Sequence, residues 1–129
     1  MRIVFRGRKL NGNEWVTGYV ISDFAGNVYI VTDKCHIQPP SYYDNVYIFE
    51  QGVVRVDPES VHQFTGLKDK NDRDIYRRDV VKFWTVGNKE GTGTVEWDEK
   101  RCAWVISTFQ NEHLTFDQIK ELEFIYIAG

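Results

Sequence analysis

The sequence predicts a mostly β protein: short antiparallel strands in one or two small barrel-like sheets, with one short helix near residues 115–122. Three observations predict it. Short runs of β-branched and aromatic residues recur along all 129 residues, and aromatics make up 15% of the chain; such residues fit a pleated, half-buried surface. Glycine, asparagine, aspartate and proline punctuate these runs at turn-like intervals. Only one segment combines a helix start signal with apolar residues at helical spacing.

Residues 2–6 read as a short strand. Asn11-Gly12-Asn13 then gives a strong hairpin signal. Residues 14–21 form a second strand, where Gly18 marks a bulge or a close backbone approach. Gly26-Asn27 separates a third strand at 28–32. The stretch 33–45 is irregular: Pro39 and Pro40 have no N–H for a ladder, and Tyr42 and Tyr43 sit in the following loop. These tyrosines either anchor the loop inward or form a contact patch. Residues 46–49 and 53–56 read as a hairpin around 50–52. Residues 57–60 read as a turn, or one turn of helix with Pro58 first.

Residues 79–86 alternate as a strand, with Val81, Phe83 and Thr85 on one face and Val80, Lys82 and Trp84 on the other. Residues 92–97 and 102–108 pair across the charged stretch 98–101, and each arm carries a tryptophan, Trp97 or Trp104. Thr115-Phe116-Asp117-Gln118 fits a capping box, and Phe116, Ile119 and Leu122 follow at helical spacing. Residues 123–128 close the chain as a strand.

The length predicts a single domain, 1–129, with a seam near 57–62 where two small lobes could divide. A formal charge of -3 speaks against a generic nucleic-acid binder. No basic-then-apolar leader opens the chain, and no apolar run nears the ~20 residues of a membrane span. The expected location is the cytoplasm, with Cys35 and Cys102 reduced; a single Cys35–Cys102 disulfide is the alternative.

No constellation of residues announces chemistry. Cys35, His36, His62, Cys102 and His113 lack the paired spacing of zinc ligands, so buried thiols and surface imidazoles are expected, with no metal and no cofactor. Cys102 reads as a packed thiol within a strand. The glycines of 87–93 lack a P-loop pattern and read as a flexible connection. Asp74 and Asp79 read as structural carboxylates that accept from local backbone, since no nucleophile or base stands near them in sequence. Lys68, Lys70, Arg73, Arg77, Arg78 and Lys82 form a basic cluster beside Tyr76, Phe83 and Trp84. Basic residues with stacking partners can hold single strands, yet Asp69, Asp72, Asp74 and Asp79 alternate with them. A second basic group comprises Arg2, Arg6, Arg8 and Lys9.

The stretch Phe64-Thr65-Gly66-Leu67-Lys68-Asp69-Lys70-Asn71-Asp72, continuing through Asp74-Ile75-Tyr76 to Asp79-Val80-Val81, resembles the hallmark of the YopX family of phage and prophage proteins. The lead-in at 58–63 and Trp15-Val16-Thr17-Gly18 also resemble family elements. The resemblance implies a phage or prophage origin and a bacterial cytoplasm, and it implies no activity. This chain has Asp72 and Arg78 where the family pattern has glycine. Asn71-Asp72 reads as the tip of a two-residue hairpin, which Asn-Gly would suit better. Arg78 speaks against a strictly backbone-geometric role for its position.

The expected function is a non-enzymatic binding or protein-interaction module, self-association included. The alternative is weak nucleic-acid binding through the hairpin 68–82. The candidate binding residues are Lys68, Lys70, Arg73, Arg77, Arg78, Tyr42 and Tyr43.

Overall fold

The computed structural model describes the backbone of residues 4–38 and 48–128, and side chains at 4–34 and 52–128. The described residues are all β apart from two single 3-10 turns. The strands are β1 (Phe5–Arg8), β2 (Trp15–Ser22), β3 (Val28–Gln38), β4 (Ile48–Val56), β5 (His62–Lys68) and β6 (Asp74–Tyr76). After them come β7 (Asp79–Thr85), β8 (Glu90–Asp98), β9 (Ala103–Thr108), β10 (His113–Thr115) and β11 (Ile119–Ile127). They pair antiparallel in two sheets, ordered β4-β3-β2-β1-β5-β6 and β10-β9-β8-β7-β11. Both sheets are open, so the expected barrel-like closure is not found. The chain groups into two compact units, residues 2–63 and 64–129. β5 straddles the boundary: His62 and Gln63 pair with β1, and Phe64 onward pairs with β6.

In the unit 2–63, Ile30 and Val56 are buried between the strands. A Cβ on Gly18 would lie 2.1 Å from the Val31 carbonyl oxygen, the close backbone approach that its position in a strand suggests. Asp57 caps the turn Pro58–Ser60 by accepting from Glu59 N at 3.0 Å, and Ser60 Oγ accepts from Arg8 N at 2.8 Å. The expected hairpin around 50–52 is not formed. β4 runs unbroken through it and pairs with a β3 that extends to Gln38, past the expected end at 32. The mismatch in length is absorbed by register shifts between Val31 and Ile37 and by the left-handed Gly52 (φ 79°).

In the unit 64–129, Ile75, Val81, Phe83, Val95, Ile106 and Leu122 form the core. Trp97 and Trp104 stand directly opposite across β8–β9 and meet edge to face at 5.2 Å. Two of the three glycines expected to be a flexible connection, Gly91 and Gly93, lie in β8. A Cβ on Gly93 would meet Ile106 Cγ2 at 2.5 Å and Ser107 O at 2.7 Å, and one on Gly91 would meet Phe83 Cζ at 2.6 Å. Their role is to admit neighbours, not to bend.

The helix expected near 115–122 is a single turn, Phe116–Gln118. The capping box forms, with Thr115 N donating to Gln118 Oε1 at 3.0 Å. Ile119 is already extended (ψ 124°), and β11 then pairs along β7 from Thr85 to Asp79. The gain from a full ladder of strand hydrogen bonds and a β-branched, aromatic sequence overrides a short helical spacing.

Four hairpins turn by one construction. Residue i donates its N–H to the carbonyl of i+4 and accepts from the N–H of i+3, and residue i+3 is left-handed. The sets are Asp23 with Gly26 (φ 86°), Asp69 with Asp72 (φ 65°), Thr85 with Asn88 (φ 64°) and Thr108 with Asn111 (φ 60°). In each, the side-chain oxygen of residue i accepts from the N–H of i+4. The 69–73 loop therefore holds three residues at its tip, not the expected two. Arg78 is also left-handed (φ 75°), against the expectation for it. Its N–H donates to Val95 O at 2.8 Å and its carbonyl accepts from Ala128 N at 2.7 Å, so partners on both sides hold the strained backbone.

Candidate functional site

The β5–β6 hairpin carries Lys68, Lys70 and Arg73 of the basic cluster singled out from the sequence, and the fold distributes the cluster. Lys68 pairs with Asp74 at 3.2 Å and with Asp72 at 3.8 Å. The Asp74 hydrogen bond, then the charges of Asp72 and Asp74, hold its ammonium above the ordinary lysine range. Arg77 and Arg78 both reach Glu96 on β8, at 3.3 and 2.9 Å. Arg73 lies over the Phe124 ring at 5.9 Å.

Among the described residues of the cluster, Lys70 and Lys82 converge on one aromatic. Their ammonium groups stand 4.8 and 5.3 Å from the centre of the half-buried Trp84 ring. Each also has a carboxylate: Glu123 for Lys70 at 3.3 Å, and Glu90 for Lys82 at 2.9 Å. Tyr76 and Phe83, expected nearby as stacking partners, are buried. Tyr42 and Tyr43 lie outside the described residues.

Asp79 and Asp69 act on backbone, whereas Asp74, expected to do the same, pairs with Lys68. Asp79, fully buried, accepts from Tyr76 N at 2.8 Å. Asp69 is buried at the hairpin tip. One of its oxygens accepts from Asn71 N and Arg73 N, both at 2.9 Å, and the other from Phe124 N of β11 at 3.0 Å. Burial alone would push its carboxyl up; the three N–H groups and Arg73 outweigh it and hold the group below the ordinary 3.8. Lys70 N donates to Leu122 O at 2.9 Å. The tip of this hairpin is thus fastened to the outer edge of β11.

Where the two fastened strands diverge, a cleft of about 270 Å³ opens between β5 and β11. Leu67, Phe116, Ile119 and Leu122 form its apolar lining. Lys68, Lys70 and Lys120 bring ammonium groups, and Asp69 and Glu121 bring carboxylates.

In the same unit, the β7–β8 and β9–β10 tips stand together, tied by Lys89 Nζ and Glu112 Oε1 at 3.2 Å. The residue after Thr85 is Val86, 67% exposed, and the residue after Thr108 is Phe109, 90% exposed. A hollow of about 290 Å³ lies beside them, lined in part by Phe83, Thr92 and Phe109. Sequence reasoning missed both residues. The signal was available: Asn88 and Asn111 each end a short gap between strands, and the apolar residue two positions earlier in each loop has no core face to join.

Two further expectations are corrected. Cys102 is exposed and left-handed (φ 51°) in the β8–β9 turn, where its thiol reaches Glu99 O at 3.4 Å. The charged loop needs one left-handed residue before β9, and Cys102 fills that position. His62 is buried, not a surface imidazole. It stacks on Trp15 at 5.8 Å, and its Nδ1 accepts from Arg6 Nε at 3.2 Å. A guanidinium only donates, so Nδ1 carries no proton. Among the described residues, no three of His, Cys, Asp and Glu are placed to hold a metal, and no helix is long and apolar enough to cross a membrane.

No curated protein matches the chain. The YopX protein family matches residues 5–127, nearly its whole length, including both strands of the hallmark hairpin and the β11 edge to which it is fastened. The chain belongs to the YopX family.

Proposed function

We propose that this chain is a phage- or prophage-encoded, non-enzymatic protein-interaction module of the bacterial cytoplasm, and that it associates through the paired tips of β7–β8 and β9–β10. One observation carries this reading. Val86 and Phe109 are exposed on neighbouring tips whose relative position is held by the Lys89–Glu112 pair. An aromatic and an aliphatic side chain held together in water suit the desolvated centre of an interface.

The test compares the chain with a Val86→Ser/Phe109→Ser variant by size exclusion with light scattering across a concentration series, and by capture of host proteins on the immobilised chain. Association that the double variant loses supports the reading. A strict monomer that captures nothing beyond what the variant captures overturns it.

A second reading, weak contact with single-stranded nucleic acid, draws support from the convergence of Lys70 and Lys82 on Trp84. Both ammonium groups are already paired with carboxylates, so this reading predicts low affinity. Retention on single-stranded DNA that falls with salt and is lost in Lys70→Glu/Lys82→Glu supports it; no retention at low salt removes it.

A further inference from the structure

We propose that the cleft between β5 and β11 binds a small amphipathic monoanion: a compact apolar body bearing one carboxylate, sulfonate or phosphodiester. This site is separate from the paired tips.

Both walls carry an irregularity that aims a side chain into the cleft. On β5 the register shifts between Phe64 and Leu67, at the left-handed Gly66 (φ 87°). That bulge sets Leu67 on the cleft, 40% exposed, on a strand whose neighbour Thr65 is buried and bound to Ile75 O. On β11 the register shifts between Ile119 and Glu121, so Lys120 is the extra residue with no partner on β7. Bulges of this kind re-aim side chains beside binding sites. Here one aims an aliphatic group and the other a cation into the same space.

The charges select the ligand. Lys120 makes no ion pair among the described residues, whereas Lys68 and Lys70 are paired with the exposed or half-exposed Asp74, Asp72 and Glu123. Such surface pairs are weak and exchange readily for another anion. Asp69 is on the lining but is committed to three backbone N–H groups. With Lys68 and Lys70 already paired, Lys120 is the lining ammonium without an ion pair among the described residues, and one such cation suits one negative charge better than two. The apolar lining of Leu67, Phe116, Ile119 and Leu122 takes the uncharged body.

The probe is anilinonaphthalene sulfonate, with uncharged phenylnaphthylamine as its control, titrated by fluorescence against the whole chain while backbone amide resonances are followed. Saturable binding of the anion is expected, with shifts concentrated at 67–70 and 119–122. The uncharged probe is expected to bind at least about tenfold more weakly, as is the anion to Lys120→Glu. Lys100→Glu, a charge reversal in the β8–β9 turn, and the Val86→Ser/Phe109→Ser variant are expected to bind like the parent chain. That last comparison separates failure here from failure of the tip interface. Non-saturable binding, shifts centred on the tips, equal affinity for the uncharged probe, or parental affinity in a folded Lys120→Glu each overturn the proposal. Should Lys120→Glu not fold, Lys120→Gln answers the same question.

Discussion

The β5–β6 and β7–β8 hairpins turn the chain with the same hydrogen bonds and put their tips to different use. Asp69 opens one loop and Thr85 the other, and each accepts from the N–H four residues on. The carboxylate has a second oxygen, and with it Asp69 binds Phe124 N of β11. The hydroxyl of Thr85 has no such reach. One hairpin is therefore fastened to a neighbouring strand edge, and its first loop residue, Lys70, folds onto Trp84. The other is held to the segment before β11 through backbone alone, Val86 N donating to Gln118 O at 3.0 Å, and the side chain of Val86, its first loop residue, meets water. A shared backbone construction thus leaves function to the residue that opens the loop and the one that follows it.

The largest expected effect breaks this contrast at Asp69. Asp69→Ala strands three N–H groups and is expected to cost about 3 kcal/mol in urea unfolding, against about 1 kcal/mol for Thr85→Val, which strands one. The acid limb distinguishes them too. The folded pKa of Asp69 lies below its ordinary 3.8, so its contribution is complete above 3.8 and is lost as pH falls through the lower folded value. Stability measured from pH 5 downward should fall less steeply in Asp69→Asn than in the parent, while Thr85→Val should keep the parental slope. Equal slopes in all three would remove Asp69 as a charged fastener.

Next come the glycines. Gly93→Ala places a Cβ 2.5 Å from Ile106 and is expected to cost about 2 kcal/mol by overpacking. Gly87→Ala, in the exposed β7–β8 tip with nothing nearer than 3.8 Å, should change stability by less than about 0.5 kcal/mol. A sequence reader sees three glycines in one short stretch and infers flexibility. Only the pairing of β8 with β7 and β9 shows that one lies in a turn and two admit neighbouring side chains.

The strand character of 79–85, the Trp97–Trp104 hairpin, the Asp57-capped turn and the tight approach at Gly18 were all legible, because each depends on local pattern. The helix near 115–122 was misread for the opposite reason. Its capping signal is local and real, but the partner strand that claims Ile119 onward starts at Asp79, far away in sequence. The candidate site was legible in composition and not in arrangement. The sequence shows a cluster of cations from 68 to 82; only the fold shows that Arg77 and Arg78 share Glu96 while Lys70 and Lys82 share Trp84.

A smaller effect tests the two departures from the family's glycines. Arg78 and Asp72 are both left-handed, so glycine at either should relieve strain. Arg78→Gly is expected to raise stability by about 0.5 to 1 kcal/mol, net of its weak surface pair with Glu96. Asp72→Gly should gain only a few tenths, since aspartate tolerates that conformation. A loss of stability in Arg78→Gly would mean that the Glu96 contact outweighs the backbone strain.

The smallest expected effect sharpens the opening contrast at its functional end. Lys70, Val86 and Phe109 occupy the same place in three loops of one construction. Lys70→Ser removes a cation over Trp84 and a pair with Glu123, and should cost about 0.5 to 1 kcal/mol. Val86→Ser and Phe109→Ser each remove an exposed side chain and should stay within about 0.5 kcal/mol of the parent by urea midpoint. That outcome is what the proposed tip interface requires, since its side chains would then serve contacts outside their own unit. If Phe109→Ser instead destabilises as much as Lys70→Ser, Phe109 serves the fold of its own unit, and the tips lose their claim to be the interface.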